Sequence, residues 1–168
     1  MEGKKIHMVY GAATAGAGVV IGLVLHFMDL SYETWSQWLM YAILGIGLIL
    51  NAQAFSKAND GYISFGQAFS SCFKATAIYT LIMILWAFIS IAIFPDIVER
   101  GMQIAAESME KQGMSDEQME AGLEMSRKYF KAFMVGGIVF MNMFWGAIFS
   151  LIAAAIVKKK GPRSIPQQ

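Results

Sequence analysis

AFMVGGIVFMNMFWGAIFSLIAAAIV, residues 132–157, is the stretch of sequence that decides the fold of this chain. It holds no Asp, Glu, Lys or Arg. About 20 apolar residues in a helix, rising about 1.5 Å each, are enough to cross a hydrocarbon core of about 30 Å. Lipid offers no hydrogen-bond partners to the backbone, so a spanning segment must satisfy its own polar groups. The stretch therefore predicts a membrane-spanning α-helix.

Three further apolar stretches are long enough to span, and they lie at about residues 8–28, 38–55 and 75–94. The second is the shortest and carries Asn51 and Gln53 near its end. Hydrophobic residues make up 57% of the chain and charged residues only 15%, whereas soluble domains hold about 45–50% and about 25%. We predict an all-α protein, a single domain over residues 1–168 built on four transmembrane helices in contact with the lipid bilayer.

Basic residues gather on one side of the predicted bundle. Eight of the thirteen belong to the two termini and the second loop with its flank: Lys4, Lys5, Lys57, Lys74, Lys158, Lys159, Lys160 and Arg163. The loop between the third and fourth spans holds the other five together with eight acidic residues. Because cytoplasmic flanks carry the excess of Lys and Arg, both termini are predicted to be cytoplasmic.

The long third loop shows the signals of a helical hairpin over about residues 96–131. Pro95 suits a helix start, Gly113 suits a stop, and Ser115 with Gln118 forms a capping box. Four apolar residues on the two arms are candidates for a partner surface: Met102, Met109, Met119 and Leu123. The hairpin is predicted to dock another envelope protein or a second copy of the chain. The alternative is a solvated spacer whose two arms pack only on each other.

Small residues fill the start of the first span, from Gly11 to Gly18. Gly18 and Gly22 make a G-x-x-x-G motif, which lets helix backbones approach closely. We predict that this helix packs at the centre of the bundle or against a second copy, through Gly11, Gly18 and Gly22. Asn142 in the fourth span is expected to hydrogen-bond across the bundle, and the alternative is that it lines a polar path.

Ser64 could start a short amphipathic helix at the membrane surface, with Phe65, Phe69 and Phe73 facing lipid. The plainer interpretation is that Ser64 simply begins the third span.

Motifs for catalysis or cofactor binding are absent from the sequence, which has no H-E-x-x-H, G-x-S-x-G or P-loop. The four stretches carry no formal charge, whereas proton relays and ion-coupled transporters generally need ionisable groups at membrane depth. His7 and His26 lie about 28 Å apart along one helix and cannot share a metal ion. We therefore expect no catalytic residue, cofactor or metal, and no run of basic and aromatic residues indicates nucleic-acid binding.

Several pieces of the chain together resemble one family, namely Ile63–Ala68 before the third span, Phe94–Glu99 after it, the Met- and Glu-rich stretch that follows, and the closing Lys158–Lys160. This pattern resembles the bacterial membrane proteins grouped as domain-of-unknown-function family 4199. The resemblance implies four spans in a bacterial inner membrane and supplies no catalytic residues.

The sequence is compatible with two functions. The first is a non-enzymatic interaction protein or accessory subunit. The second is a small transporter or channel using the polar residues of the spans: Asn51, Gln53, Thr76, Thr80, Ser90 and Asn142. A water-filled path lined by these side chains would favour transport, and a dry core would favour interaction.

Overall fold

A computed structural model describes residues 5–158 and 160 of the chain. It has five helices in the order α1 (Ile6–Phe27), α2 (Thr34–Ala58), α3 (Phe65–Ile93), α4 (Asp96–Lys111) and α5 (Asp116–Ile156). Four of them, α1, α2, α3 and α5, are long and apolar enough to cross a membrane. The predicted all-α class with four spanning helices is therefore confirmed.

Helices α3 and α5 both begin with the same reciprocal side-chain cap. At α3 the backbone N–H of Gln67 donates to Ser64 Oγ (3.2 Å), and the Ser64 N–H donates to Gln67 Oε1 (2.9 Å). At α5 the Gln118 N–H donates to Ser115 Oγ (3.4 Å) and the Ser115 N–H donates to Gln118 Oε1 (3.1 Å). Each Ser-x-x-Gln box satisfies backbone donors that a helix start leaves unpaired.

The segment after Ser64 is the first part of α3 and not a separate surface helix. Ala68 and Cys72 on this segment are fully buried among other helices of the bundle. A separate helix on the membrane surface would contact lipid and not the protein core. The amphipathic interpretation is therefore wrong, and Ser64 simply begins the third span.

Two compact units make up the chain. The core unit comprises residues 1–83 and 141–168, and the hairpin unit comprises residues 84–140. The core unit buries small side chains, among them Ala15, Ala52, Ala153 and Ala154, which have no exposed surface. Leu44 and Leu48 are buried with them, but other large apolar side chains point outward, such as Val20 (60% exposed) and Ile156 (59%). Small residues inside and large apolar residues outside are expected of helices that pack in lipid.

Three glycines let helices of the core unit pack closely, one against a backbone and two against threonine side chains. A Cβ atom at Gly11 would lie 2.7 Å from the Ala75 backbone oxygen, so α1 and α3 nearly touch there. A Cβ at Gly47 of α2 would collide with Thr14 of α1. A Cβ at Gly146 of α5 would collide with the Thr76 side chain of α3. These contacts join α1, α2, α3 and α5 into one bundle.

The hairpin unit turns at Gly113, which has a φ of +72° that favours glycine. The Gly113 N–H donates to the Glu110 carbonyl (2.9 Å) and the Met114 N–H to that of Met109 (3.2 Å), which ends α4. The predicted stop and the predicted capping box are thus both present. Helix α4 begins one residue after Pro95, and α5 runs from the turn to Ile156 without interruption.

Candidate functional site

A cluster of polar side chains lies in the interior of the core unit. Asn51 on α2 is fully buried, and its Nδ2 group donates to Ser71 Oγ (3.1 Å) and to Cys72 Sγ (3.4 Å) on α3. The Cys72 thiol in turn donates to the Leu48 carbonyl (3.4 Å). The cluster therefore links α2 to α3 by side-chain hydrogen bonds.

Threonine hydroxyls continue the polar cluster along α3 without opening it to water. Thr76 donates to the Cys72 carbonyl (3.3 Å), and Thr80 donates to the Thr76 carbonyl (2.9 Å). Thr76 has no exposed surface and Thr80 is 3% exposed. Because each hydroxyl bonds to its own helix, neither needs water or a ligand to satisfy it.

Two polar atoms in this interior have no hydrogen-bond partner among the described residues: Asn51 Oδ1 and Ser150 Oγ. An unpaired buried acceptor costs about 1–3 kcal/mol. These two atoms are therefore where the core unit is least well satisfied, and where a polar ligand would gain most.

Two cavities open at the end of the core unit that carries the α2–α3 loop. The first, of about 770 Å³, lies between the ends of α2 and α5 and is lined by apolar residues such as Ile49 and Ile156 and by three lysines. The second, of about 700 Å³, is polar and is lined in part by His7, Lys74 and Ser71. Ser71 therefore faces a cavity while its hydroxyl accepts the hydrogen bond from Asn51.

The polar residues proposed for a transport path have different surroundings in the structure. Asn51, Thr76 and Thr80 lie in the packed interior, whereas Gln53 is exposed and lines the first cavity. Ser90 donates to the Trp86 carbonyl of its own helix (2.8 Å). Thr76, Thr80 and Ser90 are thus each bonded to their own helix, and Asn51 is bonded to side chains of α3.

The glycines singled out on α1 have three different surroundings. Gly11 is held tightly against α3, and Gly18 makes ordinary contact with the Met40, Tyr79 and Met83 side chains at 3.4–3.7 Å from its Cβ position. No described atom lies within 4 Å of the Cβ position of Gly22. Within the described chain the close approach of α1 therefore lies nearer its start, and packing of Gly22 against a second copy stays a prediction.

Asn142 is half-buried, and its side chain makes no hydrogen bond within the described part of the chain. The cross-bundle hydrogen bond expected of Asn142 belongs instead to Asn51, which α2 places opposite Ser71 and Cys72. Gly47 and Gly146 were also missed by sequence reasoning. Isolated glycines are common in membrane helices, and only their facing threonines on other helices identify them.

The four hairpin residues proposed as a partner surface are all half-buried. Met102 and Leu123 line one cavity of about 550 Å³ together with Val98. The Met109 side chain lies 3.0 Å from the Cβ position of Gly122 on the opposite arm. These contacts place Met102, Met109 and Leu123 between the two arms. Met119 lies four residues before Leu123 on the second arm. The apolar side chains that the arms expose are different ones: Ile104 (46%), Met125 (58%) and Tyr129 (46%).

Among residues 5–158 and 160, no three side chains of His, Cys, Asp or Glu come close enough together to hold a metal ion. The one cysteine of the chain, Cys72, is buried and free.

Comparison with known proteins gives one assignment. The sequence model of a family described as "Protein of unknown function (DUF4199)" matches residues 9–159. No curated protein and no solved structure matches the chain significantly. The family match covers most of α1 and all of α2 to α5, and so reaches into both units. The chain therefore belongs to the DUF4199 family.

Proposed function

We propose that this protein is a non-enzymatic interaction protein or accessory subunit of the bacterial inner membrane. The observation that carries the proposal is the closed interior of the core unit. Asn51 and Thr76 have no exposed surface, and their hydrogen bonds run to neighbouring side chains and to the backbone. A protein that moves a solute needs polar groups that water or the solute can reach.

The proposed orientation puts both termini in the cytoplasm and the helical hairpin, about residues 96–131, on the opposite side of the membrane. Lys57 on α2, Lys74 on α3, and Lys158 and Lys160 after the end of α5 support it, since all four line the two cavities at one end of the core unit. Lys4, Lys159 and Arg163, which were counted on the same side, lie outside the described residues.

Cysteine labelling on whole cells tests the orientation, in a Cys72→Ser background after outer-membrane permeabilisation. Cysteines introduced at Ser31 and Ser115 should react with an impermeant thiol reagent. A cysteine at Ser164, which lies outside the described residues, should react only after the cells are lysed. Protection at Ser115 with labelling at Ser164 in intact cells reverses the orientation.

The hairpin unit is the proposed binding surface for another envelope protein or a second copy of the chain. Six acidic residues and one basic residue lie between Glu107 and Glu124, and all of them are exposed. Ile104 and Met125 are also exposed. Exposed apolar side chains beside an acidic segment support a surface that steers a basic partner and then binds it.

Co-purification from native membranes tests this surface. The variant Ile104→Ser/Met125→Ser should lose partner proteins that the parent retains. A matched control, Asp96→Ser/Lys131→Ser, changes two exposed residues outside this acidic segment while keeping the net charge. If the apolar variant keeps every partner, or if the control loses the same ones, the surface is wrongly assigned. Replacing residues 99–127 by a Gly/Ser linker removes the whole proposed surface and should lose the same partner proteins.

Transport remains the alternative, and one contact favours it. Ser71 joins the polar cavity to Asn51, whose Oδ1 atom has no partner among the described residues. A solute that entered this cavity would reach the buried amide through Ser71. Transport requires that the interior beyond Ser71 becomes accessible to water, which labelling of the native Cys72 detects.

A further inference from the structure

The cavity of about 770 Å³ in the core unit runs along the helices from an apolar interior to a basic opening. On α2 its lining extends from Ile49 to Lys57, eight residues or about 12 Å along the helix axis. On α5 and the residues after it, the lining extends from Ala153 to Lys158 in the same direction. The cavity is therefore polarised, with its apolar and charged ends separated along the direction in which the helices cross the membrane.

The opening of the cavity carries a net positive charge. Lys57, Lys158 and Lys160 line it together with a single acidic residue, Asp60. Three amines around one opening favour an anion, and a lone carboxylate leaves two positive charges for that anion to neutralise.

The lysine-bearing segment after α5 is tied to the α2–α3 loop. Ser56 Oγ donates to the Lys158 carbonyl (2.6 Å), and the Lys160 N–H donates to the Gly61 carbonyl (2.7 Å). The Lys160 ammonium lies 5.6 Å from the centre of the Tyr62 ring. These contacts hold the basic residues at the opening before any ligand arrives, so less conformational entropy is lost on binding.

We propose that this cavity is a binding site for one anionic phospholipid. Its phosphate would lie among Lys57, Lys158 and Lys160, and the start of an acyl chain would pack along Ile49, Ile156 and Val157. Basic pockets between transmembrane helices bind anionic lipid headgroups in this way. A small soluble anion would use only the opening and leave the apolar wall uncovered, so the shape of the cavity favours a lipid.

Native mass spectrometry of the full-length protein tests the site. The protein is released from mixed micelles holding equal amounts of phosphatidylglycerol and phosphatidylcholine, and bound lipids are counted. The parent should retain one phosphatidylglycerol in preference to phosphatidylcholine. Lys57→Gln/Lys158→Gln should weaken this preference by about fivefold for each lysine removed. Lys5→Gln/Lys74→Gln makes the same charge change on lysines that do not line this cavity, and should keep the preference.

A second pair of variants tests the apolar part of the site while every lysine stays. Gln53→Trp fills the cavity, which Gln53 lines, and should displace the retained lipid. Leu50→Trp adds the same bulk at an exposed position of α2 that does not line the cavity, and should not. Folding of each variant is checked by its helical circular dichroism and its melting temperature.

Three results would overturn the proposal. The first is equal retention of the two lipids by the parent. The second is an equal loss in the control pairs, which would show a general charge or surface effect. The third is displacement of phosphatidylglycerol by millimolar glycerol 1-phosphate, which would show that a soluble phosphate is the ligand. Any of these outcomes leaves the proposed protein-binding role of the hairpin unit standing.

Discussion

The core unit and the hairpin unit are both helical, but they are packed by opposite means. In the core unit, Gly11, Gly47 and Gly146 leave no room for a side chain between neighbouring helices, and Asn51 bonds from one helix to another. In the hairpin unit, none of the residues described in α4 is fully buried, and flexible methionine side chains lie between the arms. Helices in such close contact cannot move aside for a larger side chain, whereas a methionine side chain can change its conformation to fit a new neighbour. We therefore expect substitutions in the core unit to lower the stability of the protein more than substitutions in the hairpin unit.

The largest expected effect is at a glycine with a helix directly opposite. Gly146→Leu should destabilise the protein by about 3 kcal/mol, because the new side chain collides with Thr76 and forces α3 and α5 apart. Thermal unfolding in detergent measures the loss. Gly22→Leu is the matched control on α1, where no described atom lies within 4 Å, and should change stability by less than about 0.5 kcal/mol. Similar losses at the two positions would remove the distinction between tight and open glycines.

The two capping boxes sharpen the comparison, since the same motif serves one helix start in each unit. Ser64→Ala and Ser115→Ala should each cost about 1 kcal/mol of helix stability. The cost at Ser64 should lower the unfolding temperature of the whole core unit. The cost at Ser115 should appear as faster amide hydrogen exchange confined to the start of α5, near Met119. Global destabilisation by Ser115→Ala would mean that the two units unfold together.

A smaller effect is expected at the buried amide. Asn51→Leu removes two hydrogen bonds but also the unpaired Oδ1 atom, so the loss and the gain partly cancel. Measured polar contacts between membrane helices average about 0.6 kcal/mol. We expect a change in unfolding free energy of less than about 1 kcal/mol, and Asn142→Leu, at a half-buried residue, serves as the control. A loss several times larger would mean that Asn51 holds α2 and α3 together.

The smallest change in stability is expected when the hairpin itself is removed. Replacement of residues 99–127 by a short Gly/Ser linker removes most of the hairpin unit and none of the core unit. The melting temperature of the core unit should stay within a few degrees of the parent, because its tight contacts all lie inside residues 1–83 and 141–168. A large drop would show that the hairpin unit stabilises the core.

Sequence reasoning predicted the helices and their ends more completely than the contacts between them. Length and the absence of charge are enough for spans such as residues 132–157, and Ser115, Gln118 and Gly113 mark helix ends by local chemistry. Contacts depend on which residues of different helices face each other. Gly47 is identified by Thr14 and Gly146 by Thr76, and neither pair is close in sequence. For the same reason Asn142 was preferred to Asn51 as the residue joining two helices.

The hairpin shows a second limit of reasoning from the sequence. An apolar stripe identifies the face of a helix that avoids water, but it does not tell whether the opposite arm or another protein covers that face. Met102, Met109 and Leu123 lie between the arms, which leaves Ile104, Met125 and Tyr129 as the apolar surface. The hairpin is therefore still the proposed docking surface, but the residues proposed to contact a partner are different ones.

The reactivity of Cys72 tests the central claim, a closed interior in the core unit, most directly. Cys72 is the only cysteine of the chain, is fully buried, and accepts a hydrogen bond from Asn51. In native membranes it should stay unmodified by a small charged methanethiosulfonate reagent, and it should react completely once the protein is unfolded in SDS. A Ser31→Cys/Cys72→Ser variant confirms that the reagent is active. Rapid modification of Cys72 in the folded protein would show that water reaches the Asn51 cluster, contradicting the closed core and favouring transport.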